Sequence, residues 1–421
     1  MFIYRRQSYQ QHIQRIHIKH IAPQDSCIVE IWSQQKEEDK NSIVKEFQMI
    51  FILLQLVGID VLDYFKDKDS HPSKGNETHL AKSKIISCVK KCSKCFFFVV
   101  LFFKCVAYTL QLFLVSLRAW EYFAILATAI VLSIYASVYL RPQAIIHMIE
   151  NLNQIHQKLS GRKPRCDKYY FILYFIFSQI LITIWGLMHY YKEESITPQD
   201  IKPKSTILSY YLEPQLFLTL FQHIQALYYF SAVFIMSVLA VFYSFTCKCI
   251  RDLTQCLLEQ VNKNYFSEEI ETLISLHVDI IRCIRYMDSN FSYFAFVTVF
   301  MSMIGTFWGG YKLAFCETLT TEYFFSKFCL MLFNFSIQLL IMLSASFTNE
   351  LTEEATKQIQ CLLCRVPSDK REMKCNLKKD LTRPNTLTLW KIYVMDRSLI
   401  ISSFATLLTY GILLGSLGGN Q

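Results

Sequence analysis

The sequence predicts an all-α, polytopic membrane protein with seven transmembrane helices, its N-terminus inside, its C-terminus outside and helical extensions in the cytoplasm. Three observations predict this fold class. Hydrophobic residues make up 52% of the 421 residues and charged residues only 18%, whereas soluble domains contain roughly 25% charged residues. Seven segments are mainly apolar over a length that lets a helix cross the hydrocarbon core of a bilayer. Lys and Arg are concentrated in every second loop, which is typical of cytoplasmic loops.

The first predicted region is a cytoplasmic N-terminal segment, residues 1–94. It begins with basic residues and lacks the apolar core of a signal peptide, so we expect the first transmembrane span to direct insertion. An amphipathic helix is predicted near residues 46–65, because this stretch is apolar but too interrupted to span the membrane. A Lys-rich linker, residues 66–94, follows it.

The second predicted region, residues 95–347, is a bundle of six transmembrane helices that senses a ligand. The expected spans are 95–117, 120–140, 169–190, 223–247, 291–316 and 324–347. Two intervening stretches, 248–290 and 348–364, have helical periodicity. We interpret them as continuations of the fourth, fifth and sixth spans into the cytoplasm.

The remaining chain is predicted to form two further regions. Residues 348–398 are interpreted as a cytoplasmic loop and an anchor helix, in which the amphipathic run 386–397 extends the last helix. Residues 399–421 contain the last transmembrane helix, 399–417, and a short extracellular tail.

The orientation follows from the distribution of Lys and Arg. Residues 1–94 hold 15 of them, and the loops 141–168, 247–290 and 348–392 hold 6, 5 and 9. The alternating loops hold only Arg118, Lys192, Lys202, Lys204 and Lys327. Positive charge marks the cytoplasmic side, so an odd number of spans places the C-terminus outside. This orientation is opposite to that of a G-protein-coupled receptor.

The last span carries a stripe of hydroxyl groups that are candidates for lining a pore. At helical spacing they share one face with a single leucine, and the set is Ser402, Thr406, Thr409, Leu413 and Ser416. Such a face is typical of a helix that lines a water-filled path with an apolar constriction. Ser and Thr also allow close packing between helices in lipid. The residues alone leave both interpretations open.

Aromatic and polar side chains in the outward half of the first six spans are candidates for ligand contacts. The set is Tyr108, Gln111, Trp185, His189, Tyr228, Tyr229, Trp308 and Tyr311. A small-molecule pocket is mostly apolar with a few polar groups, as this set is. Trp and Tyr also accumulate at membrane interfaces without binding any ligand. The deepest members, Trp185, Tyr228 and Trp308, are the preferred contacts.

Other function classes lack their expected motifs. There is no Gly-rich nucleotide loop, no His-Glu-x-x-His and no Gly-x-Ser-x-Gly, so we predict no catalytic residue, no cofactor and no enzyme. The pairs Cys92/Cys95 and Cys361/Cys364 lack a second pair at zinc-finger spacing, so we predict no metal site. The net charge of +9 is spread over loops, which fits membrane topology better than a nucleic-acid partner.

The run from Trp390 to Tyr410, WKIYVMDRSLIISSFATLLTY, resembles the last helix of the arthropod gustatory receptor family. The signature of that family is Thr-Tyr, five hydrophobic residues and Gln-Phe. Thr409 and Tyr410 match its first half, whereas Ser416 and Leu417 stand in place of Gln-Phe. Residues 275–292, SLHVDIIRCIRYMDSNFS, are similar to the segment that leads into the family's fifth span.

The resemblance implies a chemoreceptor that is a ligand-gated, nonselective cation channel in the plasma membrane of sensory neurons. It implies a homotetramer, or a heterotetramer with related subunits, surrounded by membrane lipids and opened by a small-molecule tastant. Each last helix would line the central pore, with the gate at Leu413, Ser416 or Leu417. An odorant-receptor-type channel subunit is the nearest alternative, since such receptors share the architecture but generally lack Thr-Tyr. A membrane transporter is a more distant alternative, because matched broken spans in two halves are not evident.

Overall fold

The structure, a computed structural model, describes residues 42–59, 141–159, 168–193, 214–263, 267–315, 320–365 and 385–418, with scattered positions between 61 and 139. The helices are α1 (Ser42–Leu56), α2 (Pro142–Lys158), α3 (Lys168–Glu193), α4 (Pro214–Lys263), α5 (Ser267–Phe315), α6 (Thr321–Arg365) and α7 (Arg397–Gly418). A short β1 (Thr388–Leu389) and β2 (Tyr393–Val394) lie between α6 and α7. The first two predicted spans lie mostly outside the described residues.

The three helices α4, α5 and α6 are far longer than a bilayer is thick. They contain 50, 49 and 45 residues, which corresponds to roughly 70 Å each, against about 30 Å for the hydrocarbon core. Their continuation over the described parts of 248–290 and 348–364 confirms the helical interpretation of those stretches. Within the described ranges, α3, α4, α5 and α6 are long and apolar enough to cross a membrane. Which side the extensions occupy stays a prediction.

Helix α6 forms the centre of the packing, because it contacts α3, α4, α5 and α7. Its residues Phe333, Ile337 and Ile341 are fully buried. Helix α3, in contrast, exposes Leu173 and Ile180, which suits contact with lipid. Together these helices form one apolar bundle that supports α7 from one side.

Helix α1 packs against α4 through buried aromatic rings. Phe47 and Phe245 meet edge to face, with ring centroids 4.7 Å apart. The helix ends at Leu56 rather than near residue 65, so the predicted bounds were wrong. Gly58 takes a left-handed conformation with φ of 83°, and the amides of residues 58 and 59 donate to carbonyls of the last turn. This pattern is a common way to end a helix.

The predicted helix over residues 386–397 is also wrong. This stretch forms an antiparallel hairpin in which Thr388 pairs with Val394 and Leu389 pairs with Tyr393. The turn residues Trp390 and Lys391 both have positive φ, as the central residues of a type I′ turn do. The end of the bundle at which this hairpin lies is called the hairpin end below.

Candidate functional site: the exposed face of the last helix

Helix α7 has one face that packs on the bundle and an opposite face that does not. Ile400, Ser403 and Gly415 are buried. All five members of the predicted stripe, Ser402, Thr406, Thr409, Leu413 and Ser416, are exposed. At about 100° per residue, the stripe lies on the side of the helix roughly opposite the buried residues. Within the part of the chain that the structure describes, the stripe is therefore left uncovered.

The hydroxyl groups of the stripe are bonded within their own helix. Thr406 Oγ1 donates to the Ser402 carbonyl and Thr409 Oγ1 to the Ala405 carbonyl, each at 2.8 Å. Ser402 and Ser416 donate in the same way to carbonyls three residues earlier. This bonding satisfies the hydroxyl hydrogens in an apolar medium and leaves oxygen lone pairs that can accept from water or contact a cation. The bonding geometry is therefore compatible with both interpretations of the stripe.

The exposed surface of α7 contains an aliphatic sector on one flank of the hydroxyl stripe, while Tyr410, 58% exposed, lies on the other flank. Ile401, Leu408 and Ile412 are 69%, 67% and 61% exposed. They lie beside the stripe, at helical angles shifted by roughly a quarter turn. The helix therefore presents one aliphatic sector and one hydroxyl sector to its surroundings.

Close packing at one glycine, Gly415, and at one ring pair holds α7 on the bundle. A Cβ atom at Gly415 would lie 1.9 Å from the Phe315 ring, so only glycine fits without displacing that ring. At Gly411 the nearest atom would be 4.0 Å away, on Phe307. Near the hairpin end, the Phe404 ring contacts the Phe335 ring with centroids 5.1 Å apart. Small residues here allow a close approach of α5, which is typical of helix packing in membranes.

The hairpin is fixed to α6 at its base. Asn349, which is buried, donates to the carbonyls of Leu387 and Met395 at 3.0 and 2.8 Å and accepts from the Leu387 amide at 2.7 Å. Next to it, Glu350 accepts two hydrogen bonds of 2.6 Å from the Arg397 guanidinium. One turn of α6 therefore fixes both ends of the hairpin and the first residue of α7.

The hairpin is also fixed to α5. Asp288 Oδ1 accepts from the amide and from the hydroxyl of Thr388, each at 2.7 Å. The Trp390 amide donates to the Ser292 carbonyl at 3.3 Å. The Trp390 ring lies 5.4 Å from that of Phe296. Both α5 and α6 therefore contact the segment that leads directly into α7.

The start of α7 has its own cap. Asp396 Oδ1 accepts from the Leu399 amide at 2.7 Å, which satisfies one of the free amides of the first turn. Asp396 and Arg397 belong to the run that resembles the gustatory receptors. The capping role of Asp396 was not predicted, although an Asp just before an apolar run is a signal that could have identified it. Asn349, Asp288 and Glu350 were missed, since single polar residues in a long helix do not reveal their partners.

The predicted ligand contacts are placed only in part. Trp185 on α3 is buried, and the next residue, Gly186, approaches the Phe230 ring of α4 so closely that a Cβ atom there would lie 2.3 Å from it. Tyr228 and Tyr229 are positions of α4 beside Phe230, and His189 is a position of α3 one turn after Trp185. The side chains of these three residues, and Tyr108 and Gln111 entirely, lie outside the described residues. Their role in binding stays a prediction.

The other two predicted ligand contacts lie on α5. Trp308 is 48% exposed, and its ring stacks near that of Tyr311, with centroids 6.5 Å apart. The Lys312 ammonium lies over the Trp308 ring, 5.2 Å from its centre, which is a cation–π contact. Trp308, Tyr311 and Lys312 therefore form one cluster on α5. Leu417, a predicted gate residue, is a position of α7 whose side chain is not described.

Comparisons with known proteins place this architecture in a family. The sequence model of the 7tm chemosensory receptors matches residues 93–414. The structure of the insect olfactory receptor OR5 from Machilis hrabei in complex with eugenol is similar, with a TM-score of 0.62 and 14% identity over 90% of this chain and 100% of that one. A second structure of the same receptor has a TM-score of 0.58 and 16% identity over 89% and 99% of the two chains. A search of curated protein sequences found no significant match. The chain is a multi-pass membrane protein that belongs to the 7tm chemosensory receptor family, a family of insect gustatory and olfactory receptors rather than of enzymes.

Proposed function

We propose that this chain is a gustatory-type chemoreceptor subunit that forms a ligand-gated, nonselective cation channel. It assembles as a homotetramer, or as a heterotetramer with related subunits, in the plasma membrane of sensory neurons. A small-molecule tastant binds in the outward half of the bundle and opens the pore. The observation that carries the proposal is the hydroxyl face of α7, which is exposed on the side opposite the bundle.

The division of the exposed surface supports a pore at this face. Lipid favours the aliphatic sector, which contains Ile401, Leu408 and Ile412, because these side chains have no polar atoms. Water and cations favour the hydroxyl sector, because its oxygen atoms can accept hydrogen bonds or contact an ion. Four copies of α7 with their hydroxyl sectors facing a common axis would meet both requirements.

The proposed gate is an apolar constriction on the same face. Leu413 is half exposed and interrupts the hydroxyl stripe. A ring of four leucines excludes water when it is narrow, and such dewetting closes a pore without any charged group. Ser416 and Leu417 stand where the gustatory family has Gln-Phe and complete the proposed gate. At these two positions this chain would therefore line the gate with a hydroxyl group and a leucine, where the gustatory family has an amide and a phenyl ring.

The proposed ligand site lies where α3 and α4 converge. The contact between Gly186 and Phe230 brings the helix positions of Trp185 and Tyr228 to the same level of the bundle. An odorant-type ligand is the second candidate, because a similar fold is described for an olfactory receptor in complex with eugenol. The Thr409-Tyr410 pair favours the gustatory assignment.

The test is to express this chain in cells, alone and with related subunits, and record whole-cell currents during application of soluble tastants and of volatile compounds. The proposal predicts a cation current that is evoked by a soluble tastant and does not need a G protein. Currents evoked only by volatile compounds would favour the odorant-type alternative. Substrate-coupled uptake without channel current would contradict both.

Substitutions in the aromatic set then test the ligand site. Trp185→Ala, Tyr228→Ala and Trp308→Ala are expected to change the potency or the choice of agonist while surface expression is retained. Tyr169→Ala is the control, because it removes an exposed aromatic ring from the opposite end of α3. Dose-response curves that are unchanged for all three would leave these side chains as interface anchors only.

A further inference from the structure

One buried amide connects α6 to the packing face of α7. The Gln338 side chain has no exposed surface, and its Nε2 donates to Ser403 Oγ at 3.2 Å. Ser403 is itself buried, and its hydroxyl donates to the Ile400 carbonyl of its own helix at 2.7 Å. The contact thus joins a helix of the bundle to the side of α7 that lies opposite the hydroxyl stripe. A rotation of α7 about its axis would separate these two groups.

The Gln338 amide is only partly satisfied. Its Oε1 is buried and has no hydrogen-bond partner among the described residues. Its Nε2 has one further neighbour, the Met342 sulfur at 3.8 Å, which is a weak acceptor. A polar group in an apolar interior is strongly driven to find a partner, because the apolar surroundings offer none. The hydrogen bond to Ser403 is therefore the main interaction that satisfies this amide.

A second hydroxyl lies at the same level on α5. Gly305 approaches the Asn334 side chain, and Gly309 approaches Met331, so α5 and α6 run antiparallel in a defined register. Moving one turn toward the hairpin end on both helices places Ser302 at about the same level as Gln338. Ser302 Oγ is fully buried and has no partner within the described ranges. Most other described hydroxyls within the helices bond back to their own helix, whereas Ser302 is one of four buried hydroxyls without a partner there, the others being Thr298, Thr306 and Ser326. Of these four, Ser302 is the one that the register of α5 and α6 places at the level of Gln338.

We propose that Gln338 is a positioning residue for gating. Its amide holds α7 in the resting orientation through Ser403. When α7 turns to open the pore, the amide exchanges Ser403 for Ser302 on α5. This inference rests on the proposed channel function and adds to it the residue that couples the bundle to the pore helix.

The expected effect follows from the strength of one hydrogen bond. A net contribution of about 1 kcal/mol corresponds to roughly a fivefold change in the ratio of open to closed channels. Removing Ser403 removes a resting-state bond, so Ser403→Ala should raise the ligand-free ratio of open to closed channels about fivefold for each subunit that carries the substitution. Removing Ser302 removes an open-state bond, so Ser302→Ala should lower the maximal response to ligand.

The test records ligand-free and ligand-evoked currents, with surface expression, for Gln338→Leu, Ser403→Ala, the double variant and Ser302→Ala. Gln338→Leu removes both bonds, so it should remove the effect of a second Ser403→Ala substitution. Ser403→Thr keeps the hydroxyl and should restore near-normal resting current. Ser237→Ala is the control, because Ser237 is equally buried and bonds only to the Val233 carbonyl of its own helix.

The outcomes separate the inference from the function on which it rests. Independent, multiplicative effects of Gln338→Leu and Ser403→Ala would overturn the inference, because groups that act through one shared bond are not additive. So would ligand-free currents that match the Ser237→Ala control in every variant. Both results leave the proposed function standing if the wild type conducts. A wild-type chain that carries no ligand-evoked current in any subunit combination would overturn the proposed function and this inference with it.

Discussion

The substitution Asn349→Ala tests whether the base of the hairpin holds the start of the pore helix in place. Asn349 is buried and makes three hydrogen bonds to the backbone of Leu387 and Met395. These two residues flank the hairpin, and Met395 lies just before α7. Alanine removes all three bonds and leaves the Leu387 amide without its acceptor. The hairpin then loses its closest polar attachment to α6.

The expected loss of stability follows from those three bonds. A hydrogen bond in a folded protein contributes about 1 kcal/mol net, so removing three destabilises the fold by roughly 3 kcal/mol. The buried Leu387 amide adds to this value, since an unsatisfied donor is unfavourable in an apolar site. Because the same hairpin leads into α7, we also expect a changed ligand-free current.

The assay is thermal unfolding of the detergent-solubilised protein. After heating to each temperature, the fraction of protein that still elutes as a monodisperse oligomer in size-exclusion chromatography is measured. Asn290→Ala is the matched control on α5, because Asn290 makes one hydrogen bond of 2.9 Å to the Tyr286 carbonyl of its own helix. We expect a clearly lower unfolding temperature for Asn349→Ala than for Asn290→Ala. Equal unfolding temperatures would show that these bonds do not hold the hairpin.

Two further predictions concern packing and orientation. Gly415→Ala should destabilise the protein by about 1–3 kcal/mol, as overpacking does, because a Cβ atom there would lie 1.9 Å from the Phe315 ring. Gly411→Ala is the control, because the nearest atom to a Cβ atom there is 4.0 Å away. We expect this second substitution to be nearly neutral in thermal unfolding. Similar effects of the two substitutions would contradict the packing of α7 on α5. An epitope after Gln421 should be labelled on intact cells, and one before Met1 only after permeabilisation. The reverse labelling would overturn the proposed orientation.

Apolar length and periodicity were sufficient to predict most of the helical architecture. The long runs that became α3 to α6 are apolar over more residues than a core helix needs, and their polar continuations keep a helical period. The stripe on α7 was also readable, since a period of about 3.6 places Ser402, Thr406 and Thr409 on one face. Ile400 and Ser403 pack on the opposite face, whereas the pore-lining role of the stripe stays a prediction.

The hairpin was not readable, because its turn lacks the residues that favour such turns. Trp390 and Lys391 adopt positive φ, which Gly, Asn or Asp would adopt more easily. The conformation is held by distant partners, Asp288 and Asn349, and tertiary contacts of this kind override local preference. For the same reason the sequence could not identify Gln338, whose partner Ser403 is 65 residues away in the chain.

The most direct test of the central claim is the reactivity of single cysteines on α7 toward a hydrophilic thiol reagent during current recording, in a background without reactive native cysteines. The substituted positions are Ser402, Thr406, Thr409 and Ser416 on the hydroxyl sector, with Leu408 as the control. The Leu408 side chain is 67% exposed, so a cysteine there is also at the surface of α7, but on the aliphatic sector. We expect the reagent to reduce current at the four hydroxyl positions and to leave it unchanged at Leu408. Equal reactivity at all five positions would contradict this expectation, because the hydroxyl sector would then be no closer to water than the aliphatic one.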